Sequence, residues 1–229
     1  MNSLTQLASN LIGSQEDILA LEEKSSANIL VISDTHGDYD VLCDIIEEFG
    51  HISDALVFCG DGVCDICSYI QDSYVDESLQ EHLPPVVAIA KGNGDSEKNQ
   101  IIKPKTNELP ASRKIITAPN SISFTVAGRN IFAVHGHRFS VDYGLENLSL
   151  AAQNLDADLV FFGHTHRPFR YEDSGTLYLN PGSCSRPRGG NPASFAFVSF
   201  PGMRERYDVS FFGIRSELFG RFSFYPINL

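Results

Sequence analysis

Residues 28–36 read Asn-Ile-Leu-Val-Ile-Ser-Asp-Thr-His: four consecutive aliphatic side chains, one small polar residue, then a carboxylate and an imidazole two positions apart. An unbroken aliphatic run of this kind, without polar alternation, belongs to a strand covered on both faces, as in parallel sheets flanked by helices. The same grammar recurs four more times. Ala55-Leu-Val-Phe58 leads to Gly60-Asp61, Val86-Val-Ala-Ile89 to Gly92-Asn93-Gly94-Asp95, Ile131-Phe-Ala-Val134 to His135-Gly136-His137, and Leu159-Val-Phe-Phe162 to Gly163-His164-Thr165-His166. Between the first two runs, Tyr39 to Phe49 sets Val41, Leu42, Ile45, Ile46 and Phe49 on one helical stripe, with Gly50 as a C-terminal stop. That is one complete βαβ crossover.

Elsewhere the period changes to two. Ser121 to Val126 alternates toward the Ala127-Gly128-Arg129-Asn130 turn, which predicts a hairpin with the following strand. Phe169 to Tyr171, Thr176 to Leu179 and Ser194 to Phe200 form a second all-β stretch, so an α/β fold with two β-sheets flanked by helices is expected. Residues 96–118 read as an irregular loop. Residues 1–27 read as an appended helical element: Leu4, Leu7 and Leu11 have helical spacing, and Ser14 with Asp17 forms a capping pattern for a second helix through Leu21. The main domain spans residues 28–200. Residues 201–229 form an extension whose Phe211, Phe212, Phe219, Phe222, Phe224 and Tyr225 call for packing on the domain or a subunit contact in a homo-oligomer.

Charge and cysteine content narrow the class. Seventeen basic against twenty-nine acidic residues leave a net charge of −12, which disfavours general nucleic-acid binding. No apolar run approaches the roughly 20 residues of a membrane span, and residues 1–27 lack a signal's basic, apolar pattern, so neither a membrane span nor a secretory signal is expected. Five cysteines are too few and odd in number for a disulfide scaffold, and Cys59, Cys64 and Cys67 lack the second pair a structural zinc site needs. A cytoplasmic protein is expected.

Taken singly, each polar group after a strand has a plain structural alternative. Asp34 could cap a helix, Asn93-Gly94 could form a tight turn, and His135 could be a hydrogen-bonded core histidine. Their joint placement points elsewhere, because ligands in such sheets collect beyond the carboxyl ends of the strands. Five of the seven histidines lie in these groups. Two carboxylates (Asp34, Asp61), one amide (Asn93) and four imidazoles (His36, His135, His164, His166) form an oxygen and nitrogen set suited to manganese, iron, zinc, cobalt or nickel. Seven ligands exceed the needs of one ion and suit a pair sharing a carboxylate, for which Asp61 is the natural bridge.

The ordered series Asp34-x-His36, Gly60-Asp61, Gly92-Asn93-x-Asp95, His135-Gly-His137 and Gly163-His164-x-His166, closed by Asn180-Pro-Gly-Ser183, resembles the calcineurin-like metallophosphoesterases, most nearly their small prokaryotic phosphodiesterase branch. That resemblance implies a four-layer α/β sandwich. It also implies one metal on Asp34, His36, Asp61 and His166, a second on Asp61, Asn93, His135 and His164, and hydrolysis of small phosphodiesters, with manganese as the favoured ion. Asp95 is expected to stay outside the ligand set and pin the Asn93 loop. Many relatives carry a histidine where this chain has Gly94, so the usual leaving-group acid is missing. His137 is the nearest replacement, or else it orients a ligand. Arg186 and Arg188 follow the closing motif and are candidates to hold a substrate phosphate. Two alternatives remain within the resemblance: a nuclease, and an interaction scaffold such as the retromer subunit that shares the fold.

Overall fold

The structure is a computed structural model that describes residues 1–105, 110–202 and 206–229. The aliphatic runs form β1 (Ala27–Ile32), β2 (Ala55–Phe58) and β3 (Val86–Ile89), joined in parallel with Ile29, Ala55 and Val86 in register. Between β1 and β2 lies α2 (Tyr39–Phe49), preceded in the chain by α1 (Gln15–Glu23). After β2 come α3 (Val63–Asp72) and α4 (Glu77–His82). The Ser14 hydroxyl accepts the Asp17 N–H at 3.0 Å, the cap expected for α1.

A two-stranded hairpin, β4 (Lys98–Lys103) with β5 (Ser112–Thr117), corrects the reading of residues 96–118 as loop; residues 106–109 of that stretch lie outside the described residues. Its strands leave Ile102 and Ile115 about half exposed, so neither face shows the clean alternation that would have marked a strand.

The second sheet has the order β6-β7-β8-β10-β9. These strands are β6 (Ser121–Val126), β7 (Arg129–Val134), β8 (Leu159–Phe161), β9 (Pro168–Asp173) and β10 (Thr176–Pro181), with α5 (Glu146–Asn154) between β7 and β8. β6 and β7 form the expected hairpin. The first sheet is completed on its other side by β11 (Ser194–Phe200), β12 (Asp208–Ser216) and β13 (Phe222–Ile227), all antiparallel, in the order β13-β12-β11-β1-β2-β3.

Alternate residues of each buried strand serve different layers, which is why the runs are continuously apolar. Ile29, Val31, Val57 and Ala88 meet Ile131, Leu159, Phe161 and Leu179 between the two sheets. Leu30, Ile32, Leu56 and Phe58 pack instead under α2 and α3, against Leu42, Ile46, Ile66 and Tyr69. On the far side, Phe132, Val134 and Val160 are covered by Leu148 and Ala152 of α5. Helix, sheet, sheet, helix is the four-layer α/β sandwich. Each fully buried aliphatic side chain contributes about 2 kcal/mol through removal from water.

Five of the six C-terminal aromatics enter the first sheet, whereas Phe219 lies in the turn between β12 and β13 and is fully exposed, which corrects its expected packing. Phe49 of α2 lies 4.8 Å from Phe212 and 5.8 Å from Phe224, ring centre to ring centre, and Phe195 stacks on Phe212 at 5.3 Å. Residues 203–205 of that extension lie outside the described residues.

The first thirteen residues differ from the helical reading. Leu4 and Asn10 adopt left-handed φ values of 53° and 67°, and Ile12 bridges Val87 of β3. Leu4 is buried on the α2 side of the sheet and Leu11 between the sheets, so the leucines do not share one stripe. No helix among the described residues is long and apolar enough to cross a membrane, and all five cysteines are free.

Candidate metal centre

Loops leaving β1, β2, β3, β7 and β8 meet beyond the strands' carboxyl ends, and their backbones are forced into unusual shapes there. Asp34, His36, Asp61, His164 and His166 all have left-handed φ, between 49° and 72°. Each such residue costs on the order of 1 kcal/mol relative to ordinary backbone, although Asp and His tolerate the region better than most. Side chains from several segments hold the loops in place. Ser183 Oγ donates to the Asp34 carbonyl at 2.7 Å, and Ser185 Oγ to the Thr35 carbonyl at 2.8 Å. Asn180 Nδ2 donates to the Gly163 carbonyl at 2.7 Å and to Thr165 Oγ1 at 3.1 Å. Buried Asp65 of α3 accepts the Thr35 hydroxyl at 2.5 Å and the Gly37 N–H at 3.0 Å. Asp95 accepts four backbone N–H groups, from Asp61, Gly62, Val63 and Gly92, at 2.7 to 3.0 Å. A Cβ on Gly92 would collide with Asp61 Oδ1, so only glycine lets the β3 loop come this close.

The donor atoms converge. Asp34 Oδ2 accepts the Ser33 hydroxyl at 2.6 Å and the His164 N–H at 3.1 Å. Its other oxygen, Oδ1, is buried without a hydrogen-bond partner among the described residues, 3.2 Å from His166 Nε2, 3.7 Å from His36 Nε2 and 3.9 Å from His135 Nε2. His135 Nε2 is likewise buried and unpartnered, 3.4 Å from Asp61 Oδ2. His135 Nδ1 lies 2.7 Å from the Cys59 carbonyl and His166 Nδ1 lies 2.6 Å from the Arg186 carbonyl. A carbonyl only accepts, so in both rings the Nδ1 carries the proton and the Nε2 lone pair faces inward. His36 Nε2 approaches His166 Nε2 at 3.1 Å. Buried lone pairs and carboxylate oxygens facing one another cost energy unless something positive sits among them. The donor set therefore fits a cation.

Two groups of donors lie within 4.8 Å: Asp34 with His36 and His166, and Asp34 with Asp61 and His135. Asp34 is common to both, whereas Asp61, the expected bridge, belongs to one. His164 stands at the edge, its ring 5.1 Å from that of His135 and its Nε2 2.9 Å from Asp142 Oδ2. Asn93 is exposed on the β3 loop, next to Gly94, whose N–H donates to Asp61 Oδ1 at 2.8 Å. The His137 ring lies 5.5 Å from His135 and 6.1 Å from His164. Arg186 and Arg188 have exposed side chains, and the Arg188 N–H donates to the His166 carbonyl at 3.0 Å.

Charge and burial compete throughout. Burial pushes the Asp61 carboxyl up, but His135 beside it and the Gly94 N–H outweigh this and hold it far below the usual carboxylate range. Burial lowers the His135 imidazole, yet the Asp61 and Asp34 carboxylates leave it raised overall. His36 is lowered by burial and by His166, against the pull of Asp34, and His137 by burial and by the two neighbouring histidines.

The motif for a calcineurin-like phosphoesterase superfamily domain matches residues 28–202. The chain belongs to this superfamily. Phosphodiesterase YfcE of Escherichia coli K12 is 37% identical over 124 residues, which is 54% of this chain and 58% of that protein. The aligned part thus spans somewhat over half of the curated relative. Among solved structures, a predicted phosphoesterase from Streptococcus pneumoniae TIGR4 superposes with a TM-score of 0.61 at 23% identity, covering 89% of this chain and 99% of that one. Vacuolar Protein Sorting 29 from Cryptosporidium parvum superposes with a TM-score of 0.62 at 21% identity, covering 89% and 98%. Both establish the phosphoesterase fold alone.

Asp65, Asp142 and Arg167 were not singled out by the sequence reading. Asp65 lies four residues after Asp61, in the first turn of α3, a spacing that points it back at the β1 loop. Asp142 and Arg167 carry no such signal.

Proposed function

We propose that the chain is a metal-dependent phosphodiesterase of its superfamily, hydrolysing small phosphodiesters, with two divalent transition metal ions held by Asp34, His36, Asp61, Asn93, His135, His164 and His166. Manganese is the favoured ion, with zinc, iron, cobalt and nickel compatible with the same donors. The observation that carries this reading is the pair of buried atoms without a hydrogen-bond partner among the described residues, Asp34 Oδ1 and His135 Nε2, facing His36, His166 and Asp61.

When bound, such ions supply Lewis acidity at the phosphoryl oxygens and acidify water. The chain's own residues do the rest. The Cys59 and Arg186 carbonyls fix the tautomers of His135 and His166, so both rings present lone pairs without reorganisation. Ser33 and the His164 N–H hold Asp34 Oδ2, which aims Oδ1 at the centre. We assign Arg188, whose N–H donates to the His166 carbonyl, to a substrate phosphate. His137 is assigned to the leaving-group side. Gly94 offers no proton donor there, so diesters with acidic leaving groups are favoured over those that release a poorly stabilised alkoxide.

The soluble substrate class, the absence of a membrane-spanning helix among the described residues and five free thiols support a cytoplasmic setting. A scaffold role would give the converging donors nothing to do. A nuclease role is opposed by the net charge of −12.

The test is hydrolysis of bis(p-nitrophenyl) phosphate with manganese supplied, alongside metal analysis of the purified protein. Asp61→Asn and His135→Ala should each lose at least a hundredfold in rate. Equal rates in parent and variants, or a protein that retains no transition metal and shows no turnover, would overturn the reading and favour the scaffold.

A further inference from the structure

A cavity of about 480 Å³ adjoins the candidate metal centre and is walled by the segments that carry its histidines. Asp142, which holds His164 Nε2 at 2.9 Å, forms one side. Arg167, next in the chain to His166, and Arg188, hydrogen-bonded through its N–H to the His166 carbonyl, form the other. Phe162 and Phe169 supply an apolar wall, their rings edge to face at 6.2 Å. Its volume falls in the range of small-molecule sites, roughly 300 to 1,000 Å³, and suits a group of nucleoside size.

The two guanidinium groups decide what kind of group. Arg170 and Arg221 have carboxylate partners, at 2.7 Å and 3.2 Å; among the described residues neither Arg167 nor Arg188 has one. In a chain of net charge −12, a cavity lined by two arginines that have no carboxylate partner among the described residues, against one acid, Asp142, is a local reversal of sign. The chain around them is pinned. Asn191 Nδ2 donates to the Arg188 carbonyl at 2.8 Å, and Arg167 lies against Gly189, where an added Cβ would meet its Nε at 3.0 Å. A guanidinium without a carboxylate partner is suited to a bidentate oxyanion ligand.

Resting on the phosphodiesterase reading, we infer that this cavity seats the non-reacting arm of the diester, and that the arm carries its own anion, a phosphate or carboxylate, held by Arg167 and Arg188, with a flat ring against Phe169. The metal centre takes the scissile phosphate, and the cavity selects which diester arrives. Arg167 and Phe169 become specificity residues of the site.

The test has two arms. Thymidine 3′,5′-bisphosphate is titrated calorimetrically into protein stripped with EDTA, comparing wild type with Arg167→Ala and with the double variant Arg167→Ala/Arg188→Ala. Binding by the wild type, weakened about tenfold in the first variant and about a hundredfold in the second, is expected from the loss of one and two charge-assisted contacts. No binding by the stripped wild type, or equal affinities in all three, overturns the inference. In the second arm, kcat/KM with manganese is compared for p-nitrophenyl thymidine 5′-phosphate and its 3′-phosphorylated form. The wild type should prefer the 3′-phosphorylated ester, and Arg167→Ala should reduce that preference about tenfold; an unchanged preference counts against the inference. Failure to hydrolyse either ester strikes the phosphodiesterase reading alone, since the calorimetric arm still decides the cavity. Both substituted arginines are exposed, so the variants retain the fold.

Discussion

Removing the Asp95 carboxylate should cost more stability than any other substitution outside the cores. Its two oxygens accept the N–H groups of Asp61 (2.7 Å), Gly92 (2.8 Å), Val63 (2.9 Å) and Gly62 (3.0 Å). Three of those donors belong to the β2 loop and the start of α3, where Gly62 provides no side-chain cap. Asp95 therefore caps α3 from another segment, and its charge sits at the positive end of the helix dipole. A hydrogen bond to a charged acceptor contributes about 1.5 to 3 kcal/mol when buried, and roughly 1 kcal/mol where water can replace it. Asp95 is half-buried, so Asp95→Ala should cost about 3 to 4 kcal/mol. Asp95→Asn keeps one acceptor for two of the four donors and should cost about 2 kcal/mol. At 2 to 4 °C per kcal/mol for a chain of this length, Asp95→Ala lowers Tm by about 10 °C.

The assay is urea unfolding followed by circular dichroism in EDTA, which keeps metal binding out of the comparison. Ser14→Ala supplies the scale: it removes a single local cap, in which the hydroxyl accepts the Asp17 N–H at 3.0 Å and donates to Asp17 Oδ2 at 2.5 Å, and should cost about 1 kcal/mol. If Asp95→Ala is no worse than Ser14→Ala, the four-bond clamp is not what holds the β2 and β3 loops together.

Manganese at a hundredfold excess over its dissociation constant should stabilise the parent by about 2.7 kcal/mol, and calorimetric Tm should rise by several degrees; Asp34→Asn should abolish the rise, and a rise of equal size in that variant would place the ion elsewhere. Burial pushes the Cys43 thiol up to about 11 and the Cys67 thiol up to about 12, against Tyr39's hydrogen bond at Cys43. Thiols held protonated in the fold but ionising near 9 when unfolded lose stability for the protein as pH rises, so the unfolding free energy should fall between pH 9 and 12, and at pH 8 dithionitrobenzoate should modify exposed Cys64 well before Cys43 or Cys67. Phe212→Ala opens a gap against Phe49, Phe195 and the β13 aromatics and should cost about 2 kcal/mol by urea unfolding; a neutral result would mean the C-terminal strands are held by their ladder alone.

What could be read from the residues follows from how many demands each position meets. Strands buried on both faces have no choice but continuous apolar side chains, so β1, β2, β3, β7 and β8 were visible, and the α2 stripe from Val41 to Phe49 matches its buried face residue for residue. The leucines at 4, 7 and 11 carried the same helical spacing for a different reason: the chain crosses the sheet edge beside β3 and places Leu4 and Leu11 in separate cores. β4 and β5 form a surface hairpin whose Ile102 and Ile115 are half exposed, so no period marked them. At the site, the placement of donor-type side chains after the strands was legible, and so was Asp95 as the pin of the β3 loop. The sharing of Asp34 between both donor groups was not, because it depends on which carboxylate oxygen Ser33 and the His164 N–H leave free. Arg167 was invisible for a related reason: its importance rests on having no carboxylate nearby, which only the folded chain reveals.

The strain and the unpartnered atoms at this centre have one source. Five left-handed backbones at Asp34, His36, Asp61, His164 and His166 together cost on the order of 5 kcal/mol, and they are what turn those side chains inward rather than along their strands. Ordinary backbone would let Asp34 Oδ1 and His135 Nε2 find water or hydrogen-bond donors, and the centre would close on itself. The Ser183, Ser185, Asn180, Asp65 and Asp95 contacts keep it open. These outer residues thus act on function through geometry. Losing one should widen the donor cluster and weaken metal affinity in the folded protein, over and above what it costs in stability.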